Sequence, residues 1–124
     1  MEKEPINHYV DIESIKKTFG EEPDIINEFM ELFLKHFPSD IAKLVIAFDE
    51  KNMEQVFTIS HNLKTTVSSL KRDTPLFENL RIIEKFRYKE VVDWQIIEEN
   101  ITIITNAEEK VLQDIKTLQK NLFA

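Results

Sequence analysis

Several things are scarce in this chain, and each scarcity excludes a class of chemistry. There is no cysteine among the 124 residues, so disulfides, thiol nucleophiles and thiolate metal sites are out. Gly20 is the one glycine. That leaves little room for hairpin turns and none for a P-loop or a dinucleotide fingerprint. The histidines are His8, His36 and His61. None follows a glutamate by three residues and no two are four apart, so neither a di-metal carboxylate bundle nor a helical zinc motif is available. No run of about 20 apolar residues and no charged-then-apolar leader is present, and the chain is expected to be cytoplasmic with no membrane partner. Basic residues are outnumbered by acidic ones, 16 to 23, for a net charge of -7. Nonspecific nucleic-acid binding wants the opposite sign, so no nucleic-acid partner is expected.

What is present is hydrophobic periodicity of helical type. The composition, 42% hydrophobic and 31% charged, fits one globular domain over residues 10–124 behind a short lead-in over 1–9. Asp11 is placed to cap a short helix through Lys17, with Ile12 and Ile15 inward and Gly20 at its end. Glu21, Glu22, Pro23 and Asp24 then open a longer helix with a broad apolar face: Ile25, Ile26, Phe29, Met30, Leu32 and Phe33. Pro38 is expected to kink or break it near Phe37, leaving His36 close to a helix end, and Ser39 or Asp40 to restart it. Asp49 to Asn52 reads as a turn. Lys71 to Asp73 is a charged connector, after which Thr74 and Pro75 cap a helix presenting Leu76, Leu80 and Ile83. Asp93 caps the longest helix, from Trp94 to Leu122. Its stripe of Ile97, Ile101, Ile104, Val111, Ile115, Leu118 and Leu122 is interrupted only by Glu108. No segment alternates like a strand. The expectation is an all-α fold, an antiparallel up-and-down four-helix bundle with a short extra N-terminal helix.

The chemistry concentrates between Val56 and Leu70. On a helical wheel Val56, Ile59, Leu63, Val67 and Leu70 fall within roughly 80° of one another, a buried seam. His61 lies about 160° from the centre of that seam and should face solvent. Lys64 stands one turn after it and Phe57 one turn before. An exposed histidine on an amphipathic helix is most simply a surface residue. Its neutral imidazole is also a nucleophile that can take up a phosphoryl group, and a lysine at i+3 can neutralise the incoming oxygens. Between Lys71 and Lys89 six basic residues face three acids, a local charge of about +3. That segment reads either as a solvated helix face or as a docking rim for an acidic partner.

The run S-H-N-L-K, set in the middle of such a bundle, resembles the histidine-containing phosphotransfer (HPt) domain of two-component phosphorelays. Its signature is a histidine followed by x-Leu-Lys-Gly, usually after a small residue. Ser60, His61, Leu63 and Lys64 match it, and the likeness runs from about Pro23 to Leu118. The downstream L-F-E-N-L-R-I-I-E is similar to the family's next helix, with Ile83 and Glu84 at its Leu-Glu. The resemblance implies that His61 accepts a phosphoryl group from a receiver-domain aspartyl phosphate and passes it to another receiver. Lys64 would hold the phosphoryl oxygens, and Glu84 would hydrogen-bond the other ring nitrogen. The open alternative for Glu84 is an exposed glutamate pairing with Arg81 or Arg87. Phe57, Thr58, Thr65 and Ser68 would form the docking patch, with Phe57 its exposed aromatic. The implied partners are response-regulator receiver domains and a hybrid sensor histidine kinase. The chain itself would be a monomeric phosphoryl carrier, not an autonomous enzyme, without a cofactor of its own, the divalent metal sitting on the receiver. Two departures stand out: Thr65 replaces the glycine after the lysine, and Lys71 replaces a second glycine. A β-branched residue at 65 narrows the approach to His61, and this keeps a second function open, a non-phosphorylated interaction bundle using the same face.

Overall fold

Capping side chains mark where the helices begin. In the structure, a computed structural model describing residues 9–71 and 73–122, Asp11 accepts from the Glu13 N–H at 3.3 Å and starts α1, Ile12–Phe19. Gly20, at φ 84°, ends it by donating its N–H to the Lys16 carbonyl at 2.8 Å, a backbone state open to a residue without Cβ. Pro23 occupies the first turn of α2, Pro23–Asp49, where its missing N–H costs nothing. Asn52 caps α3, Met53–Leu70, through the Gln55 N–H, and Thr74 caps α4, Pro75–Lys85, through Phe77. A single 3₁₀ turn, Phe86–Tyr88, leads on to Asp93, whose carboxylate accepts from Gln95 and Ile96 at the start of α5, Trp94–Leu122. Among the described residues the chain is all-helical, with no strand. The lead-in over 1–8 with His8, and Arg72 of the connector, lie outside the described residues.

The core is one cluster to which every α-helix contributes. α3 packs against α2 and α4, α5 packs against the same two, and α1 lies on α2 and α3. The Asp11 N–H donates to the Leu70 carbonyl at 2.7 Å and ties the start of α1 to the end of α3. Gln119 on α5 donates to Asn27 on α2 at 3.0 Å, while at the opposite end Trp94 meets Phe48 edge-on at 5.5 Å. Lys51, in the turn after α2 at φ 56°, sets its ammonium over both rings, 4.4 Å from Phe48 and 4.5 Å from Trp94.

Three expectations need correcting here. α2 does not break or restart at Pro38 but runs through it, so His36 is an exposed mid-helix residue and not a terminal one. Proline forfeits one backbone hydrogen bond and costs about 3 kcal/mol or more in a helix interior. Here Phe33, Phe37, Ile41 and Leu44 are buried on one stripe across it, and only a continuous helix keeps all four in the core. Phe33 and Phe37 stack 4.5 Å apart in the turn that leads into the proline. The face of α2 is also narrower than expected: Ile26, Met30 and Phe33 are buried, whereas Ile25 and Leu32 are about half exposed, at 49% and 50%. On α5, Glu108 does not interrupt the buried stripe, because the helix turns Ala107 inward in its place.

Candidate functional site

The surface of α3 is set by which neighbours it has. α4 lies along one flank, and Lys64 reaches across to it, while Phe57 and Ser60 are buried although the seam read from the sequence did not include them. Ser60 is fully buried, and a side chain this small lets the two helices approach closely. His61, the next residue, stands at the edge of the contact with its side chain 53% exposed.

Across from it, α4 supplies Glu84. The His61 Nδ1 lies 2.9 Å from Glu84 Oε2 and 3.0 Å from Oε1. The Lys64 ammonium takes the same carboxylate from the other side, 2.8 Å from Oε1 and 3.4 Å from Oε2. Its charge also sits 5.8 Å from the centre of the Phe77 ring. Glu84 is largely covered, its side chain 12% exposed. Burial works against its charge, but hydrogen bonds from Lys64 and His61 and the attraction of both groups outweigh it, holding the carboxyl below the ordinary carboxylate range. An ionised carboxylate only accepts, so Nδ1 is the nitrogen that carries the hydrogen. In the neutral ring the lone pair is then on Nε2, at the edge of the imidazole turned away from Glu84. The arrangement holds one ring nitrogen firmly and leaves the other available to an electrophile from solvent.

Arg81, which sequence spacing offered as a partner for Glu84, instead pairs with Glu78. Arg87 reaches back to α3, where its guanidinium donates to the Thr58 hydroxyl at 3.4 Å and lies 5.9 Å from the centre of the Phe57 ring. Phe57 is therefore not the exposed aromatic of a docking patch. It is 4% exposed, a residue of the core, with the Arg87 guanidinium of the 3₁₀ turn beside its ring. The sequence reading had it exposed beside His61, and the packing of neighbouring elements buries it instead.

The other expected patch residues are reachable. Thr58 is half-buried, Thr65 exposed and Ser68 half-buried. The Thr65 hydroxyl donates to the His61 carbonyl at 3.2 Å and Ser68 donates to the Thr65 carbonyl at 2.7 Å, so both hydroxyls are turned onto their own helix. Ser68 also lines a cleft with Ser14, Lys17, Thr18 and Phe77, where α1 borders the same face.

Two features of this surface were not read from the sequence. Tyr88 is 84% exposed and Val91 79%, and Tyr88 lines a shallow depression with Lys64, Arg81, Glu84 and Lys85. The contact of Arg87 with Thr58 spans 29 residues, beyond any local spacing rule. Among the described residues no cluster of three histidine or carboxylate side chains is placed to hold a metal ion, and no helix is long and apolar enough to cross a membrane. No family model, curated protein or solved structure matches the chain.

Proposed function

We propose that this protein is a phosphorelay intermediate in which His61 carries a phosphoryl group between receiver-domain aspartates. The observation that carries the reading is the Glu84 carboxylate held between His61 Nδ1 and Lys64. It directs Nε2 outward as the nucleophile. In the forward step the Nε2 lone pair forms a bond to phosphorus, the bond from phosphorus to the aspartyl oxygen breaks, and the aspartate leaves as carboxylate. The ring acquires positive charge, with Nδ1 keeping its hydrogen, and Glu84 balances that charge at 2.9 Å. Lys64 is one helical turn from His61 and supplies a cation to the phosphoryl oxygens. The reverse step returns the group to a second receiver. The divalent metal that assists the chemistry belongs to the receiver, and the chain contributes a positioned nucleophile in place of autonomous catalysis.

The finer architecture we infer is an antiparallel up-and-down bundle of α2, α3, α4 and α5, with α1 across one end. It is supported by the contacts of α5 with α2, Gln119 to Asn27 at one end and Trp94 to Phe48 at the other, which run the two helices in opposite directions. Neighbours in such a bundle expose one continuous face of α3, which suits docking of a receiver or of the receiver portion of a hybrid sensor kinase.

The test is incubation with a panel of pre-phosphorylated receiver domains, read by intact mass. A phosphate-sized, acid-labile gain that is absent in His61→Gln is the expected result. Binding without any gain would favour the second reading, a docking bundle that no longer transfers. Thr65 is the residue that speaks for it, exposed one turn beyond His61 where the family carries glycine.

A further inference from the structure

Beside the histidine the molecule carries a patch whose charge opposes that of the rest of the chain. From Arg81 to Val91 there are four basic residues and two acids, Glu84 and the exposed Glu90. Subtracting that +2 from the net charge of -7 leaves -9 on the remaining chain. Arg81, Lys85, Arg87 and Lys89 are all exposed. The carboxylates bordering the patch on α4 are already engaged, Glu78 with Arg81 and Glu84 with His61 and Lys64. Among the described residues no carboxylate lies within ion-pair distance of Lys85, Arg87 or Lys89, although Lys85 still acts on Glu78 through space. The hydrogen bond and ring contact of Arg87 are to the neutral Thr58 and Phe57. Within this cationic surface stand Tyr88 and Val91, the two most exposed large hydrophobic residues described. Tyrosine and arginine are the side chains that most often dominate binding energy at protein interfaces.

From this we propose that the α4–3₁₀ segment, Arg81 to Val91, is a docking site for an acidic protein surface, with Tyr88 as its anchor and Lys85, Arg87 and Lys89 as its steering charges. The proposal rests on the reading of His61 as a phosphoryl carrier in one respect: it names the face by which a receiver approaches. Tyr88 and Glu84 line one depression, so a partner seated on the segment lies beside His61. The charge of -9 elsewhere turns an acidic partner away from other approaches and toward this one. The same negative charge opposes a flat anionic bilayer, which would meet much of the chain at once.

Two measurements test the idea separately from phosphotransfer. The first maps amide shifts of the intact chain on titration with polyglutamate and, in parallel, with phosphatidylserine vesicles. Shifts centred on Arg81 to Val91 with polyglutamate are expected. No shifts, shifts centred elsewhere, or a response to vesicles alone would overturn the proposal. The second takes any receiver that binds and compares its association rate with wild type, Lys85→Glu/Lys89→Glu, Tyr88→Ala, and a charge-matched control on α5, Lys116→Glu/Lys120→Glu. The rim double variant should slow association about tenfold or more at low salt, with the difference shrinking at high salt. Tyr88→Ala should raise the dissociation rate. Equal loss in the rim and control variants would overturn the site. Polyglutamate mapping to the rim with no mass gain at His61 would instead sink the carrier reading and leave the docking site standing.

Discussion

α4 makes a polar contact on each of its flanks, and the two are built differently. Toward α5, the Asn79 side-chain amide donates to Asn100 Oδ1 at 2.9 Å, and Asn100 passes its own amide to the Ile96 carbonyl at 2.9 Å. Asn100 is 7% exposed, neutral and closed in between helices. Toward α3, Glu84 meets His61 and Lys64, a charged contact at the rim whose histidine is half in solvent. Both link α4 to a neighbour, but the buried amide pair keeps its polar groups within the protein. The rim contact leaves Nε2 facing out. A helix can thus use one polar flank to fix its register and the other to present chemistry. The difference lies in where the spare bonding capacity sits: Asn79 Oδ1 stays buried without a partner, whereas the half-exposed His61 ring keeps its free nitrogen at the surface.

That contrast can be broken at its apolar support first. Phe57 lies in the core beside the Arg87 guanidinium, and Phe57→Ala removes a buried ring from α3. The expected cost is about 3–5 kcal/mol by urea unfolding. A cost under about 1 kcal/mol would mean that Phe57 is a surface residue after all. Next comes the closed amide pair. Asn100→Ala strips Asn79 of its acceptor in a largely dry setting, with an expected loss of about 1–3 kcal/mol. Phosphotransfer at His61 should survive, because that contact is on the other flank of α4. Loss of transfer in a folded Asn100→Ala protein would show that the two flanks are not separable.

How much of this was legible in the chain follows the range of the interactions. Asp11, Thr74 and Asp93 announce helix starts because a cap is made within three residues; Asn52, which reads from the sequence only as the end of a turn, proves to cap α3 in the same way. His61 and Lys64 were legible for the same reason, since one turn of helix fixes their relation. Pro38 misled because its local cost is real, and only the burial of Phe37 and Ile41 on either side shows why it is tolerated. Phe57 misled because a single-helix wheel does not contain the neighbouring elements. Glu84 could be named only through a family resemblance, and its contact crosses 23 residues of sequence. Arg87 on Thr58 and the exposure of Tyr88 had no local signal at all. Both depend on how the 3₁₀ turn leaves α4.

The rim contact should be worth less to stability and more to function. Glu84→Gln keeps the shape and removes the charge, with an expected cost of about 1 kcal/mol. Its pH dependence identifies the cause. The carboxyl is held below its ordinary range, so its contribution is fully present above the unfolded value of about 4.3 and is lost as pH falls through the lower folded value. Wild type and Glu84→Gln should therefore differ in stability at neutral pH and converge in acid. A constant gap across that window would assign the difference to packing and remove the electrostatic account.

His61→Gln closes the series with the smallest expected change in folding and the largest in chemistry. The ring is 53% exposed and contributes little buried surface, so its replacement should shift stability by no more than about 0.5 kcal/mol. Glutamine can still donate to Glu84, which keeps the carboxylate engaged, but it offers no ring nitrogen to phosphorus. Full stability with no phosphoryl uptake would mean that the contact is held for what Nε2 does and not for what Nδ1 stabilises. A loss comparable to that of Asn100→Ala would place His61 among the structural polar groups, and the open flank of α4 would then differ from the closed one only in position.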